Sequence, residues 1–283
     1  MLLKELTYHA PQTLPEALKL YSTLPNVRLQ AGGTFLLNSL KLLKHNDVKT
    51  PEHVIGLNKI PDLKGISFQN NELILGSMTT ITDIFESDLL KDNFSVLKTV
   101  CRNISTTPIR NMATVGGNLT CRYTWTEMPA VMIGLDAKLH FVAKDGTKET
   151  LDAENFFQSA AKTEKILTHI IIKQDKKLSL SYQRVKKSPH VDIPLLSMLL
   201  TTIFEGDRFT QTRVAINNCV AFAQRDKILE DFLNKSQISS TIATEALDRL
   251  DKSIYDTRST EYKSHMFRVC VKNAIKELIA AKK

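Results

Sequence analysis

Cysteine is scarce in this chain, four in 283 residues, and Cys101, Cys121, Cys219 and Cys270 form no C-x-x-C pair. That spacing offers no local ligand set for a zinc or iron–sulfur site made by the chain alone, and reduced thiols in a cytoplasmic protein are the expectation. Glycine is sparse too, with ten in all, and none stands in G-x-G-x-x-G or G-x-x-x-x-G-K-[ST]. Rossmann and P-loop nucleotide binding are therefore not indicated. Long apolar runs are missing: Pro129 to Leu135 is too short to span a bilayer, and Ile193 to Ile203 is interrupted by polar residues. Lys4 and Glu5 break the apolar core that a signal peptide needs, so a soluble, cytoplasmic protein without a membrane span is expected. The charge of +8, from 38 Lys and Arg against 30 acidic residues, is scattered. Its densest run, Arg184, Lys186 and Lys187, falls short of a stripe that tracks a phosphate backbone, so no nucleic-acid partner is expected. His53, His140, His169 and His190 are too dispersed for a metal set, and Ser197 lacks the G-x-S-x-G context of a hydrolase.

What is present is enough apolar content, 42%, to bury more than one core. Thr13, Pro15 and Glu16 mark a helix start, predicting a helix over Leu14 to Thr23 after a strand near Leu6 to His9. Asn26 to Gln30 alternates as a strand, an apolar stretch of helical spacing covers Phe35 to Leu43, and a strand follows at His53 to Gly56. Together these read as a β-α-β-α-β unit. Strands are then predicted at Gly65 to Phe68, Leu73 to Gly76, Lys138 to Ala143, Lys148 to Leu151 and Ile166 to Ile172, the middle pair joined across Asp145-Gly146. Helices are predicted at Thr80 to Phe85, Asn93 to Cys101 and Pro129 to Gly134. Beyond about Asp175 the pattern gives strands near Ser179 to Val185, Leu195 to Phe204 and Thr212 to Asn217, a three-stranded antiparallel sheet. Helices over Asp226 to Leu233, Ser239 to Leu250 and Ser259 to Ala281 complete the chain. The fold class is α+β.

Four of the ten glycines sit in two pairs, Gly32-Gly33 and Gly116-Gly117. A glycine pair between a strand and a helix allows positive φ, removes the Cβ atoms that fend off a bulky anion, and aims successive N–H groups at it. Either pair alone reads better as a tight turn. Two such cradles in one fold suit a pyrophosphate.

The strings Leu29-Gln30-Ala31-Gly32-Gly33-Thr34-Phe35-Leu36 and Ile109-Arg110-Asn111-Met112-Ala113-Thr114-Val115-Gly116-Gly117-Asn118-Leu119 resemble the two FAD signatures of the flavoprotein subunit of molybdenum hydroxylases. The likeness extends through Pro51 to Asn58, Gly76-Ser77-Met78-Thr79-Thr80, Leu135-Asp136-Ala137, Asp192-Ile193-Pro194 and Arg258 to Lys263. It implies a two-lobed FAD-binding domain of the vanillyl-alcohol-oxidase/PCMH-like type over residues 1–175, with lobes at about 1–57 and 58–175. A C-terminal α+β domain of the carbon monoxide dehydrogenase flavoprotein type follows over 176–283. By the same resemblance Leu29, Gln30, Ala31, Gly32, Gly33, Thr34, Phe35 and Leu36 wrap the pyrophosphate, the Thr34 hydroxyl adding a donor. Ala113, Thr114, Gly117 and Asn118 complete the clamp around phosphates and ribityl chain. Ile104 and Ile166 fall beside the flavin or adenine, Cys121 and Glu127 follow the second signature, and Arg184 approaches the cofactor.

The chain departs from the family pattern at Arg122, Tyr123 and Trp125, where small residues are usual, and at Phe35, where an acidic residue is common. The bulky group either stacks on an aromatic ring or packs at a subunit contact. The resemblance implies an FAD-dependent oxidoreductase subunit that takes electrons from a small [2Fe-2S] subunit and passes them to NAD or another acceptor. A large molybdopterin-binding subunit would act on the organic substrate. The alternative is a flavin-free assembly subunit that keeps the fold.

Overall fold

The computed structural model describes residues 5–46, 48–124, 126–159, 163–186, 188, 193–218, 222–255 and 260–282. Trp125, His190, Asp192, Cys219, Arg258 and Ser259, singled out in the sequence, lie outside the described residues.

Strands β1 (Thr7–His9), β2 (Val27–Gln30) and β3 (His53–Gly56) form a parallel sheet in the order β1-β3-β2. Parallel neighbours need crossovers, and helices Leu14–Thr23 and Leu36–His45 supply them. Thr13 caps the first helix by accepting from the Glu16 amide at 3.3 Å, while the Glu16 carboxylate accepts from the Gln12 amide at 2.8 Å. Ala17, Ile55, Leu57 and Ile60 form the core of this unit.

A second sheet contains β4 (Ile66–Gln69), β5 (Glu72–Gly76), β6 (Lys138–Val142), β7 (Lys148–Asp152) and β8 (Ile166–Lys173), antiparallel in the order β4-β5-β8-β6-β7. Asn70 and Asn71, both at positive φ (53° and 64°), close the β4–β5 hairpin as a two-residue turn of this kind requires. Leu73, Leu139, Phe141 and Ile170 point into one core with helices Ser95–Asn103 and Met128–Gly134.

The third sheet holds β9 (Leu178–Lys186), β10 (Pro194–Glu205), β11 (Arg208–Asn217) and β12 (Gln224–Arg225), in the order β12-β11-β10-β9. It is thus four-stranded, where the sequence suggested three. Helices Lys227–Lys235 and Glu261–Ala281 bury Phe209, Val214 and Phe267 on one face. The other face meets Met128–Gly134, a helix buried at all seven residues. That two-sided burial explains why β10 reads as a nearly unbroken apolar run: Met198 and Leu200 enter one core and Leu199 the other.

Other expectations needed correction. The single helix over Ser239 to Leu250 is instead Ile242–Glu245 followed by a 3₁₀ turn, Ala246–Arg249. Short helices at Thr107–Arg110, Ala153–Gln158 and Lys252–Tyr255 are additional. The second glycine pair does not sit between a strand and a helix; it lies inside the short helix Val115–Thr120.

Candidate functional site

After β2 the chain bends through Ala31-Gly32-Gly33-Thr34 into helix Leu36–His45. Gly33 is the one paired glycine at positive φ, +73°. The other three serve close approach. A Cβ on Gly32 would lie 2.0 Å from the Met112 carbonyl oxygen, and one on Gly116 would lie 2.6 Å from the Ser77 carbonyl oxygen. A Cβ on Gly117 would stand 3.2 Å from the Ala31 methyl. The two glycine segments therefore pack backbone to backbone, although more than eighty positions separate them in sequence. Both line a single cavity of about 680 Å³.

Their amides are used differently. Among the described residues, the N–H groups of Gly32, Gly33 and Thr34 donate no hydrogen bond, leaving three successive donors at the first bend. At the second, Gly116 N–H donates to the Ser77 carbonyl at 2.8 Å, Gly117 N–H to Thr114 Oγ1 at 3.1 Å, and Asn118 N–H to the Thr114 carbonyl at 2.9 Å. The expectation that both pairs free their amides is corrected: only the first does. The second contributes shape and side chains. Asn118 lines the cavity, and its Oδ1 is buried without a hydrogen-bond partner, an unsatisfied acceptor at the cavity wall.

Glu127 belongs to the cavity lining. Arg184 Nε donates to Glu127 Oε1 at 2.5 Å and the Tyr182 hydroxyl to Oε2 at 3.2 Å, the side chains of Arg184 and Glu127 being 7% and 3% exposed. Burial pushes the Glu127 carboxyl up, and the bonds from Arg184 and Tyr182 oppose that rise. The Cys121 thiol, bonded to the Asn118 carbonyl at 3.2 Å, is also pushed up by burial, which argues against a thiolate there. Phe35 and Tyr123, both on the lining, meet at 4.2 Å between ring centroids with planes tilted by 51°.

The site residues expected from the sequence all line this cavity except Gln30, Ile166 and Arg184. Gln30 lies beneath the first bend, its Nε2 2.7 Å from where a Gly33 Cβ would project. Ile166, 1% exposed, belongs to the core with Ile55 and Ile60. Arg184 stands behind Glu127. The sequence reading did not pick out Arg28, Ser39, Asn103, Ser105 or Ile109, which also line the cavity. Ser105 carried a readable signal, since Ser-Thr-Thr-Pro has turn composition, and the structure places Ser105 at φ +48°. Ile193 and Pro194, noted in the sequence without a role, complete the lining.

This donor set fits a dinucleotide with a diphosphate. Three successive amides without a hydrogen-bond partner belong to the cavity lining, Gly32, Gly33 and Gly117 keep part of that lining clear of Cβ atoms, and Ile104 and Ile109 offer apolar surface to planar rings.

A sequence family described as the FAD binding domain in molybdopterin dehydrogenase matches residues 4–173. The chain is 32% identical over 152 residues to the carbon monoxide dehydrogenase medium chain of Hydrogenophaga pseudoflava, and 31% over 143 residues to the xanthine dehydrogenase FAD-binding subunit of Escherichia coli O157:H7. These matches cover 53% and 50% of this chain and span about half of each relative, 51% and 48%. The glyceraldehyde dehydrogenase medium chain of Sulfolobus acidocaldarius is 23% identical over 283 residues, 97% of this chain and 98% of that one. Among solved structures, carbon monoxide dehydrogenase from Hydrogenophaga pseudoflava lacking the Mo-pyranopterin moiety superposes with a TM-score of 0.87 at 24% identity, over 99% of both chains, which shows a shared fold. Because the family match takes in more than half of its residues, the chain belongs to the FAD-binding domain family of molybdopterin dehydrogenases, oxidoreductase components whose cofactor is FAD.

Proposed function

We propose that this chain is the FAD-binding electron-transfer subunit of a multi-subunit molybdopterin-dependent dehydrogenase, active in the cytoplasm. In this reading a small subunit delivers electrons from [2Fe-2S] clusters, a large molybdopterin-binding subunit oxidises the organic substrate, and NAD or another acceptor takes the electrons away. The names of the relatives, medium chains and FAD-binding subunits, support it. The division into an FAD-binding domain of the PCMH-like type, residues 1–175 with lobes at about 1–57 and 58–175, and a C-terminal domain, 176–283, follows the three sheets, one to each part, while the apolar cores run across both boundaries through Ile166 and Leu199.

The observation that carries the proposal is the run of undonated amides at Gly32, Gly33 and Thr34 in a cavity also lined by Thr114, Gly117 and Asn118. The amides, with the Thr34 hydroxyl, would hold the diphosphate, and Thr114, Gly117 and Asn118 would hold the phosphates and ribityl chain from the second segment. Leu29, Ala31, Phe35, Leu36, Ile104 and Ala113 shape the walls and exclude water. Glu127, held by Arg184 and Tyr182, keeps a carboxylate fixed at the cavity's edge. When bound, FAD supplies the exchange between one-electron clusters and a two-electron acceptor.

The test is purification after co-expression with an iron–sulfur subunit and a molybdopterin-binding subunit from the same organism. Yellow protein that releases FAD and bleaches with dithionite is expected. Colourless protein that takes up no FAD would overturn the proposal in favour of a flavin-free assembly subunit with the same fold.

A further inference from the structure

The bulky stretch that interrupts the family pattern divides its side chains between two sides of the loop. Cys121, Tyr123, Thr126 and Glu127 line the cavity, whereas Arg122 does not. Its guanidinium lies 5.2 Å from the Phe156 ring centroid and 4.8 Å from that of Phe222. Its Nη2 donates to the Phe157 carbonyl at 3.3 Å and to the Ser159 carbonyl. One side chain thus ties three segments together: the cavity loop, helix Ala153–Gln158 and the connection between β11 and β12. A planar, weakly hydrated cation suits a place between two aromatic faces with carbonyls at its edge. Arg122 itself sits at φ +54°, a conformation an arginine takes only where surrounding contacts impose it.

We infer that Arg122 is a positioning residue for the cavity: its clamp on Phe156 and Phe222 holds the flanking residues 121–124 and 126–127 so that Tyr123 reaches Phe35 and Glu127 reaches Arg184 before any ligand arrives. The inference rests on the FAD reading for the identity of that ligand, but the clamp can be tested without it. A loop held in one conformation binds without first paying an ordering cost, and apparent affinity falls with the fraction of molecules that are competent. Burial lowers the Arg122 pKa, yet guanidinium stays charged across the accessible range.

The test uses the full chain, stripped of flavin, as wild type, Arg122→Asn and Phe222→Leu. Asparagine tolerates the left-handed backbone, and leucine keeps bulk while removing the aromatic face. Phe222 does not line the cavity, so any effect of its replacement there is indirect, and its contact with the Arg122 guanidinium is the route tested. Hydrogen exchange is read at the Cys121 and Thr126 amides, which donate to the Gly117 and Tyr123 carbonyls, with the Gly116 amide as control. The expected result is faster exchange at Cys121 and Thr126 in both variants, an unchanged Gly116, and FAD affinity weakened about tenfold in Arg122→Asn and less in Phe222→Leu. Unchanged exchange at both amides in both variants would overturn the clamp, as would wild-type FAD affinity in both. Should Arg122→Asn fail to fold, Phe222→Leu decides alone by the same readouts. Wild-type protein that binds no FAD would defeat the flavin reading and leave the exchange result to judge the clamp.

Discussion

Gly32 and Gly33 are adjacent and identical in sequence, yet the structure asks different things of them. At Gly33 the demand is conformational, φ +73°, and an added methyl would meet the flexible end of Gln30. At Gly32 an added methyl would overlap the Met112 carbonyl, which belongs to another segment's backbone and cannot give way alone. Gly33→Ala is therefore expected to cost roughly 1–2 kcal/mol, the left-handed penalty for an L-residue. Gly32→Ala is expected to cost more, at or above the roughly 1–3 kcal/mol of an overpacked core. Denaturant midpoints of the two variants check the order, and Gly33→Ala proving the more damaging would refute it. The pairs themselves were legible, because four of ten glycines in two doublets stand out. Their separate jobs were not. The neighbour that forbids a Cβ at Gly32 comes from position 112, and the partner that occupies the Gly116 amide comes from position 77; no local pattern names either.

The long elements followed their sequence periodicity closely, since capping and alternation act within a few residues. Leu14–Thr23 matches its Thr13 cap, and Glu261–Ala281 the helical spacing near the end of the sequence. Apart from Ser239 to Leu250, where two short turns replace one helix, the misses were short. Strand β12 has two residues and helix Ala153–Gln158 six, too few for a period to show, and tertiary packing decides them. Pairing between elements also creates chemistry that spacing hides. His140 and His169, dispersed in sequence, are directly opposed on β6 and β8, their rings stacked at 4.3 Å and 7°. Each Nδ1 lies 3.0 Å from a threonine hydroxyl, His140 from Thr150 and His169 from Thr168. Burial lowers both pKa values below 6.5, and for His169 the neighbouring His140 adds to the effect. As pH falls through about 6.5 the unfolded chain takes up these protons before the folded one, so stability is full above that pH and declines below it. Replacing His140 by Gln should flatten that decline when unfolding is compared at about pH 7.5 and about pH 5.5. An unchanged pH slope would mean that the pair contributes nothing.

At the scale of the molecule, the cavity is a joint product of segments far apart in sequence. Glu127 and Arg184 stand 57 positions apart and meet almost wholly buried, one at the end of the second glycine segment and the other on the third sheet. Removing one partner strands the other. Glu127→Ala should destabilise the flavin-free chain by about 3–5 kcal/mol, and adding Arg184→Met should recover part of that loss. Equal stability of the single variant and wild type in a chemical denaturation series would show the pair to be dispensable. Sequence alone could nominate both residues through resemblance, but it could not show that Arg184 acts through Glu127 rather than at the cavity itself. Whether the first bend holds the diphosphate on amides left free by the fold is decided by hydrogen exchange of the flavin-free chain with and without saturating FAD. Strong slowing is expected at Gly32, Gly33 and Thr34 and little change at Gly116, whose amide is already bonded. Saturation with FAD that leaves the three amides exchanging at their original rates would contradict it.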